Sequence, residues 1–254
     1  MMAAARTALV TGGAKRIGRA IVEDLAAHGF AVAIHCNRSR READSLAAEI
    51  RGTGARAEVV AADLTDNAAT GALIAEATKA LGPIGLLVNN ASIFQDDSVE
   101  TFDPAVANKH FAIHVNAPAV LARRFAEALP LGEEGLIVNI IDQRVWRLTP
   151  RYFSYTLSKS ALWTATRTMA QALAPRIRVN AIGPGPTLAN TRQDADDFDA
   201  QVEGVLLKRG PALSEFGAAI RYLWEARSVT GQMIALDGGQ HLAWQTPDVT
   251  GMVE

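Results

Sequence analysis

Residues 7–18 read Thr7-Ala8-Leu9-Val10-Thr11-Gly12-Gly13-Ala14-Lys15-Arg16-Ile17-Gly18, and this stretch decides the fold. An apolar run at 7–10 has the pattern of a short buried strand. A turn of small residues follows. Ile17, Ala20, Ile21 and Leu25 then recur at helical spacing, and Gly29 stands just past the end of a helix expected over 17–28. Small residues in such a turn let the backbone come close to a ligand. The first N–H groups of a helix lack internal partners and carry partial positive charge, which suits a phosphate. A glycine-rich turn can also join strand to helix with no ligand. Its place in the first strand–helix unit favours binding.

The same beat continues along the chain. Strands are expected at 31–34, 57–60, 86–88, 136–140, 177–181 and 232–236. Helices are expected at 39–51, opened by a Ser39 cap and closed by Gly52, and at 66–81 with an Asp66 cap. Others are expected at 104–129 with a kink near Pro118, at 153–173 and at 214–226. The strands are continuously apolar rather than alternating, so both sheet faces are covered and the strands run parallel. Right-handed crossovers make the fold class α/β, a doubly wound, Rossmann-type sheet of about seven strands. The reading is a single domain over 1–254. Its one long non-periodic piece, 183–204 with a polar stretch at 190–199, predicts a substrate lid at about 183–210.

Composition narrows the function. A net charge of −2 argues against a general nucleic-acid binder, and a single cysteine excludes a disulfide framework within the chain or a cysteine-based zinc cluster. No metal site is expected. No apolar run reaches the length of a membrane span, and residues 1–6 lack a signal-peptide layout. The expectation is a cytoplasmic protein acting on a small molecule, with no membrane or nucleic-acid partner.

The turn differs from the common Gly-x-Gly-x-x-Gly spacing, with Arg16 where the middle glycine usually stands. The pattern resembles the short-chain dehydrogenase/reductase family. Its Lys-Arg-Ile-Gly variant is similar to the pteridine reductase and dihydromonapterin reductase branch. Arg16 puts a guanidinium beside an anionic pyrophosphate, within reach of cofactor and substrate. After the second strand the chain reads His35-Cys36-Asn37-Arg38-Ser39-Arg40-Arg41. An acid that would take a ribose 2′-hydroxyl is missing there, and a 2′-phosphate suits the Arg and Ser donors. NADP(H) is therefore the expected cofactor. Arg16 and the cluster 38–41 are assigned to phosphates. The resemblance implies cofactor contacts at Gly12, Lys15, Arg16, Ile17, Gly18, Asn37, Arg38, Ser39, Asp63 and Leu64. It implies others at Asn90, Ala91, Ser92, Tyr155, Lys159, Pro184, Gly185 and Thr187.

Tyr155 and Lys159 stand four apart on one helix face. An ammonium beside a phenol is expected to lower the tyrosine pKa towards working pH, so that Tyr155 delivers a proton. Lys159 is also expected to reach the nicotinamide ribose, and Asn116 to support a water near Lys159. Asp142 stands thirteen before Tyr155 (155 − 142), where most of the family has a serine. An ionised carboxylate is a poor partner for a developing alkoxide. It suits a substrate that gains a proton at nitrogen, as in C=N reduction of a pterin ring, and the pteridine reductases share this Asp. It also opposes Lys159 at the tyrosine, so the set titrates as a unit. Phe94 sits at the offset where that branch stacks its pterin. Trp146, Tyr152 and Phe153 are further candidates for the same pocket. Expected substrate contacts are Arg16, Ser92, Phe94, Asp142 and Tyr155. The implied activity is NADPH-dependent reduction of a pterin or folate-like C=N bond. A carbonyl reductase and a non-catalytic NADP(H) sensor are the alternatives. Family members are commonly tetramers, and the same is expected here.

Overall fold

The computed structural model describes residues 5–189 and 195–246. A seven-stranded parallel sheet has β1 (Thr7–Val10), β2 (Ala31–Cys36), β3 (Ala57–Ala61), β4 (Leu86–Asn89), β5 (Gly135–Ile140), β6 (Ile177–Pro184) and β7 (Met233–Leu236). Its order is β3-β2-β1-β4-β5-β6-β7. The chain builds outward from β1 to β3, then returns beside β1 with β4. A crevice opens where the order reverses, outside the carboxyl ends of β1 and β4.

Residues alternate between two apolar cores. Ala8 and Val10 of β1 face the layer of α1 (Arg16–Ala27), α2 (Arg40–Gly52) and α8 (Leu213–Glu225). Leu9 faces the layer of α3 (Asn67–Leu81), α5 (Ala117–Ala128) and α6 (Phe153–Leu173). Each fully buried Leu, Ile or Val contributes about 1.5–3 kcal/mol. Asn139 is a buried polar exception in β5. Asn89 Nδ2 donates to its Oδ1 at 2.8 Å, and its Nδ2 donates to Thr166 Oγ1 at 2.8 Å, which ties β4 and β5 to α6. No described helix is long and apolar enough to cross a membrane.

The expected strands and the helix 153–173 are present. Four local expectations change. Ser39 precedes α2 but its side chain makes no cap bond, and Gly52 lies inside the helix; the left-handed residue is Gly54, at φ +86°. The segment 104–129 is not one kinked helix. α4 (Pro104–Phe111) passes through a π-helical turn, Ala112–Asn116, into α5. Pro118 has no N–H for the carbonyl four residues back, so the helix widens a turn before it rather than bending at it. The supposedly non-periodic 183–204 contains α7 (Ala195–Glu203). Residues 190–194 of the predicted lid and polar stretch lie outside the described residues.

Candidate active site

A cleft of about 1140 Å³ runs across the switch point. The expected site residues line it except Arg38, Ser39 and Asn116.

Its nucleotide end is built from backbone. Lys15 is extended and gives α1 no side-chain cap, and the first turn of α1 holds no acid. Its leading N–H groups therefore have no carboxylate competing for them. Gly12 is left-handed, at φ +61°. A Cβ at Gly18 would overlap the Gly12 carbonyl oxygen and Asn90 Nδ2. Asn90 Nδ2 donates to the carbonyls of Thr11 at 2.9 Å and Gly12 at 3.1 Å. Thr11 Oγ1 accepts the N–H of Asn90 at 2.9 Å and of Ala91 at 3.0 Å. The loop is further held by His35, a residue the sequence reading left without a role. Gly12 N–H donates to His35 Nδ1 at 3.1 Å. The other ring nitrogen must then carry hydrogen, and it lies 3.1 Å from the Ala62 carbonyl. Burial drives the His35 pKa down to about 4 and keeps this tautomer neutral.

The arginines divide. Arg40 pairs with Asp44 at 2.9 Å on the outer face of α2. Arg38 is near enough to Asp63 to help hold its carboxyl below the usual range, behind hydrogen bonds from Thr65 and Asn37. Arg16 takes a left-handed conformation, φ +54°. Its guanidinium donates to the carbonyls of Ala189 at 3.1 Å and Leu188 at 3.2 Å. Arg16 and Arg40 thus each hold a partner within the chain, and Arg16 also lines the cleft. Arg16 fastens the phosphate loop to the segment after β6, and Arg40 is spent on Asp44. Lys15 pairs with Glu42 at 2.5 Å, joining the starts of α1 and α2. Past β6, Thr187 Oγ1 donates to the Gly185 carbonyl at 3.0 Å.

The other end is built from side chains. Tyr155 Oη donates to Asp142 Oδ2 at 2.9 Å, and the Arg144 N–H donates to Asp142 Oδ1 at 2.9 Å. Lys159 Nζ donates to the Ile140 carbonyl at 2.9 Å and lies 5.7 Å from the Tyr155 ring centre. Burial raises the Asp142 pKa against the pull of Arg144, Tyr155 and Lys159. Burial lowers that of Lys159 to about 8, with Asp142 opposing. The Tyr155 phenol is held well above its ordinary value, first by burial and then by Asp142, while Arg144 and Ser92 pull the other way. The expected lowering of Tyr155 by Lys159 is therefore overturned. Burial, with the directly bonded carboxylate behind it, outweighs the ammonium, and the phenol stays protonated at working pH.

Asn116 is exposed on the π turn and does not line the cleft. The buried residue of that turn is His114, bonded to Ser158 and Ser92 and facing the Tyr155 ring edge-on at 5.5 Å. A lone histidine in an apolar helix gave no signal of this in the sequence. Asp97 was missed as well. Its carboxylate accepts the Ser154 N–H at 3.0 and 3.2 Å, which caps α6 one residue before Tyr155. The cap comes from a distant loop, so no local motif announces it.

Phe94 lines the cleft with Tyr152 stacked on it at 4.3 Å and Tyr155 edge-on at 4.8 Å. Arg144 lies over both Phe94 and Tyr152, at 5.3 and 4.8 Å. Of the other pocket candidates, only Tyr152 lines the cleft. Trp146 is 42% exposed and packs on His241 and Trp163, and Phe153 packs edge-on against Phe102. Phe198 of α7 lines the cleft from the lid side.

A phosphate-binding turn at a switch point, with a Tyr and a Lys on one face of the helix after β5, defines an oxidoreductase class. The short chain dehydrogenase pattern matches residues 6–200, and the chain belongs to that family. It is similar to the FolM alternative dihydrofolate reductase 1 of Brucella canis, crystallised with NADP. Identity is 60%, the TM-score is 0.94, and the match covers 96% of this chain and 97% of that one. It is 30% identical over 236 residues to a dihydromonapterin reductase of Escherichia coli, covering 92% of this chain and 96% of the relative. It is also 33% identical over 249 residues to the L-xylulose reductase of Bos taurus, covering 93% and 96%.

Proposed function

We propose that the chain is an NADP(H)-dependent reductase acting on a C=N bond of a pterin or folate-like substrate. The cleft's donor set fits the dinucleotide. The uncapped start of α1, with Gly12, Ile17 and Gly18, suits a pyrophosphate. Asn37, Arg38 and Ser39 suit a 2′-phosphate, and Asp63 and Leu64 stand where the adenine would lie. Asn90, Ala91, Lys159, Pro184, Gly185 and Thr187 would hold the nicotinamide half. Bound there, the cofactor supplies the hydride.

The residues of this chain manage the proton. Tyr155 keeps its phenol protonated and releases that proton to the substrate nitrogen. Asp142 aims the phenol through a single hydrogen bond. Lys159, charged below about pH 8, offsets the phenolate that forms beside a carboxylate. Phe94 with Tyr152 offers an aromatic wall for a flat heterocycle, where contact is worth about 1 kcal/mol. Ser92 lies at the cleft side of Tyr155.

The observation that carries this reading is the 2.9 Å bond from Tyr155 to Asp142. An acceptor locked on the proton donor disfavours a neighbouring alkoxide and tolerates a nitrogen that ends protonated. The 60% identical relative named for dihydrofolate reduction, and the 30% identical one named for dihydromonapterin reduction, support it. NADPH consumption is to be followed with dihydropterins and dihydrofolate against a panel of ketones and sugars. Turnover with the pterins is the expected result. Turnover only with the carbonyl compounds overturns the reading and favours a carbonyl reductase. Tight NADPH binding with no turnover favours a sensor.

A further inference from the structure

We propose that His114, acting through Ser92, is the positioning residue of the Tyr155 phenol. The proposal rests on the reading of Tyr155 as proton donor and is independent of which substrate is reduced.

Hydrogen accounting carries it. Ser158 Oγ donates its only hydrogen to the Tyr155 carbonyl at 2.7 Å. The 2.8 Å contact between Ser158 Oγ and His114 Nδ1 therefore requires the hydrogen to sit on Nδ1. His114 Nε2 accepts the backbone N–H of Ile93 at 3.2 Å, and this donor cannot be reversed. Nε2 is consequently bare and the ring is neutral, so its remaining neighbour, Ser92 Oγ at 2.9 Å, is the donor, giving its hydrogen to the nearer Nε2 rather than to the Ile93 carbonyl at 3.3 Å. The Ser92 hydroxyl is thus turned with its hydrogen on the imidazole and its lone pairs free. Ser92 stands near enough to the Tyr155 phenol to favour its ionised form, and both side chains line the cleft. When Tyr155 gives its proton to the substrate, the Ser92 hydrogen swings from Nε2 to the phenolate. The hydrogen bond from the phenol to Asp142 is given up in the same step.

The surroundings keep the ring neutral. His114 is 1% exposed. From α6 it meets Lys159 and Tyr155, and from α4 it meets His110 at 5.6 Å, behind which stands Asp97. The nearby Lys159 and His110 oppose a charge on His114, and burial opposes it more.

A double-mutant cycle tests the inference. His114→Leu and Ser92→Ala are each expected to lower kcat about tenfold, with the NADPH dissociation constant changed by less than about twofold. His114→Leu with Ser92→Ala is expected to be no slower than Ser92→Ala alone, because one residue acts through the other. Losses that multiply overturn the inference, as does full activity in either single variant. Nitrogen NMR of the histidines in the intact protein gives a second readout that needs neither turnover nor a variant that folds. His114 is expected as the neutral, Nδ1-protonated tautomer from about pH 6 to 8. An Nε2-protonated or cationic ring overturns the proposal. If the wild-type chain turns over no pterin, the substrate reading fails while this tautomer test still stands.

Discussion

At one end of the cleft, residues 11–18 present glycine backbone, helix N–H groups and a loop tied down by Thr11, Asn90 and His35. At the other, residues 92–97 and 142–155 present side chains on irregular backbone, including Tyr152 at φ +57°. The nucleotide end uses groups that every sequence carries, so its specificity lies in close approach. The proton-transfer end uses particular side chains, so its specificity lies in which atoms are buried together. Changes at the first end should therefore alter binding, and changes at the second should alter rate.

The sharpest break in that division is Tyr155→Phe. Loss of the phenol should lower kcat by about a thousandfold or more, with NADPH affinity kept within about threefold. Fluorescence titration and steady-state kinetics together check it. Gly18→Ala should do the reverse. Its methyl overlaps the Gly12 carbonyl and forces the loop open, raising the NADPH dissociation constant about a hundredfold. Turnover at saturating cofactor should fall much less. A Gly18→Ala protein with wild-type affinity would show that the loop is not held by close approach.

His35 gives the nucleotide end a pH dependence. Its folded pKa is depressed to about 4, against about 6.5 unfolded. Its neutral form therefore contributes stability that is present above about pH 6.5 and is lost as pH falls towards 4. The shift amounts to about 3 kcal/mol in the limit. Denaturant unfolding of wild-type protein and His35→Gln from pH 7 to 4 should converge as the pH drops (about a 2.5-unit window). Parallel curves would remove His35 from the account. The smallest expected effect is at Arg38. Arg38→Ala should weaken NADPH about tenfold and leave NADH nearly unchanged. Equal losses for both nucleotides would place Arg38 away from the 2′-phosphate.

The two ends also differed in how much the sequence disclosed. Continuous apolar strands and a glycine turn followed by Ile17 and Ala20 made the sheet, the first crossover and the phosphate end readable. Tyr155 and Lys159 were readable because they stand four apart on one face of α6, and Asp142 because it follows β5 at a fixed distance before Tyr155. The burial of His114 was not readable, because the π turn before Pro118 sets which residue of 112–116 is buried. The tyrosine pKa was misjudged for a related reason. Spacing reveals that Lys159 is near, whereas burial and the hydrogen bond to Asp142 depend on the packed fold. α7 went unread because Ala195–Glu203 is short and polar, with few apolar residues to mark a period.

The proposed preference for C=N over C=O reduction rests on the bond between Asp142 and Tyr155. Asp142→Ser is the most direct measurement, with dihydropterin and ketone turnover compared at saturating NADPH. Pterin kcat is expected to fall about a hundredfold, with unchanged NADPH affinity and a carbonyl turnover that holds or rises. Unchanged pterin kinetics in the Asp142→Ser protein would contradict it.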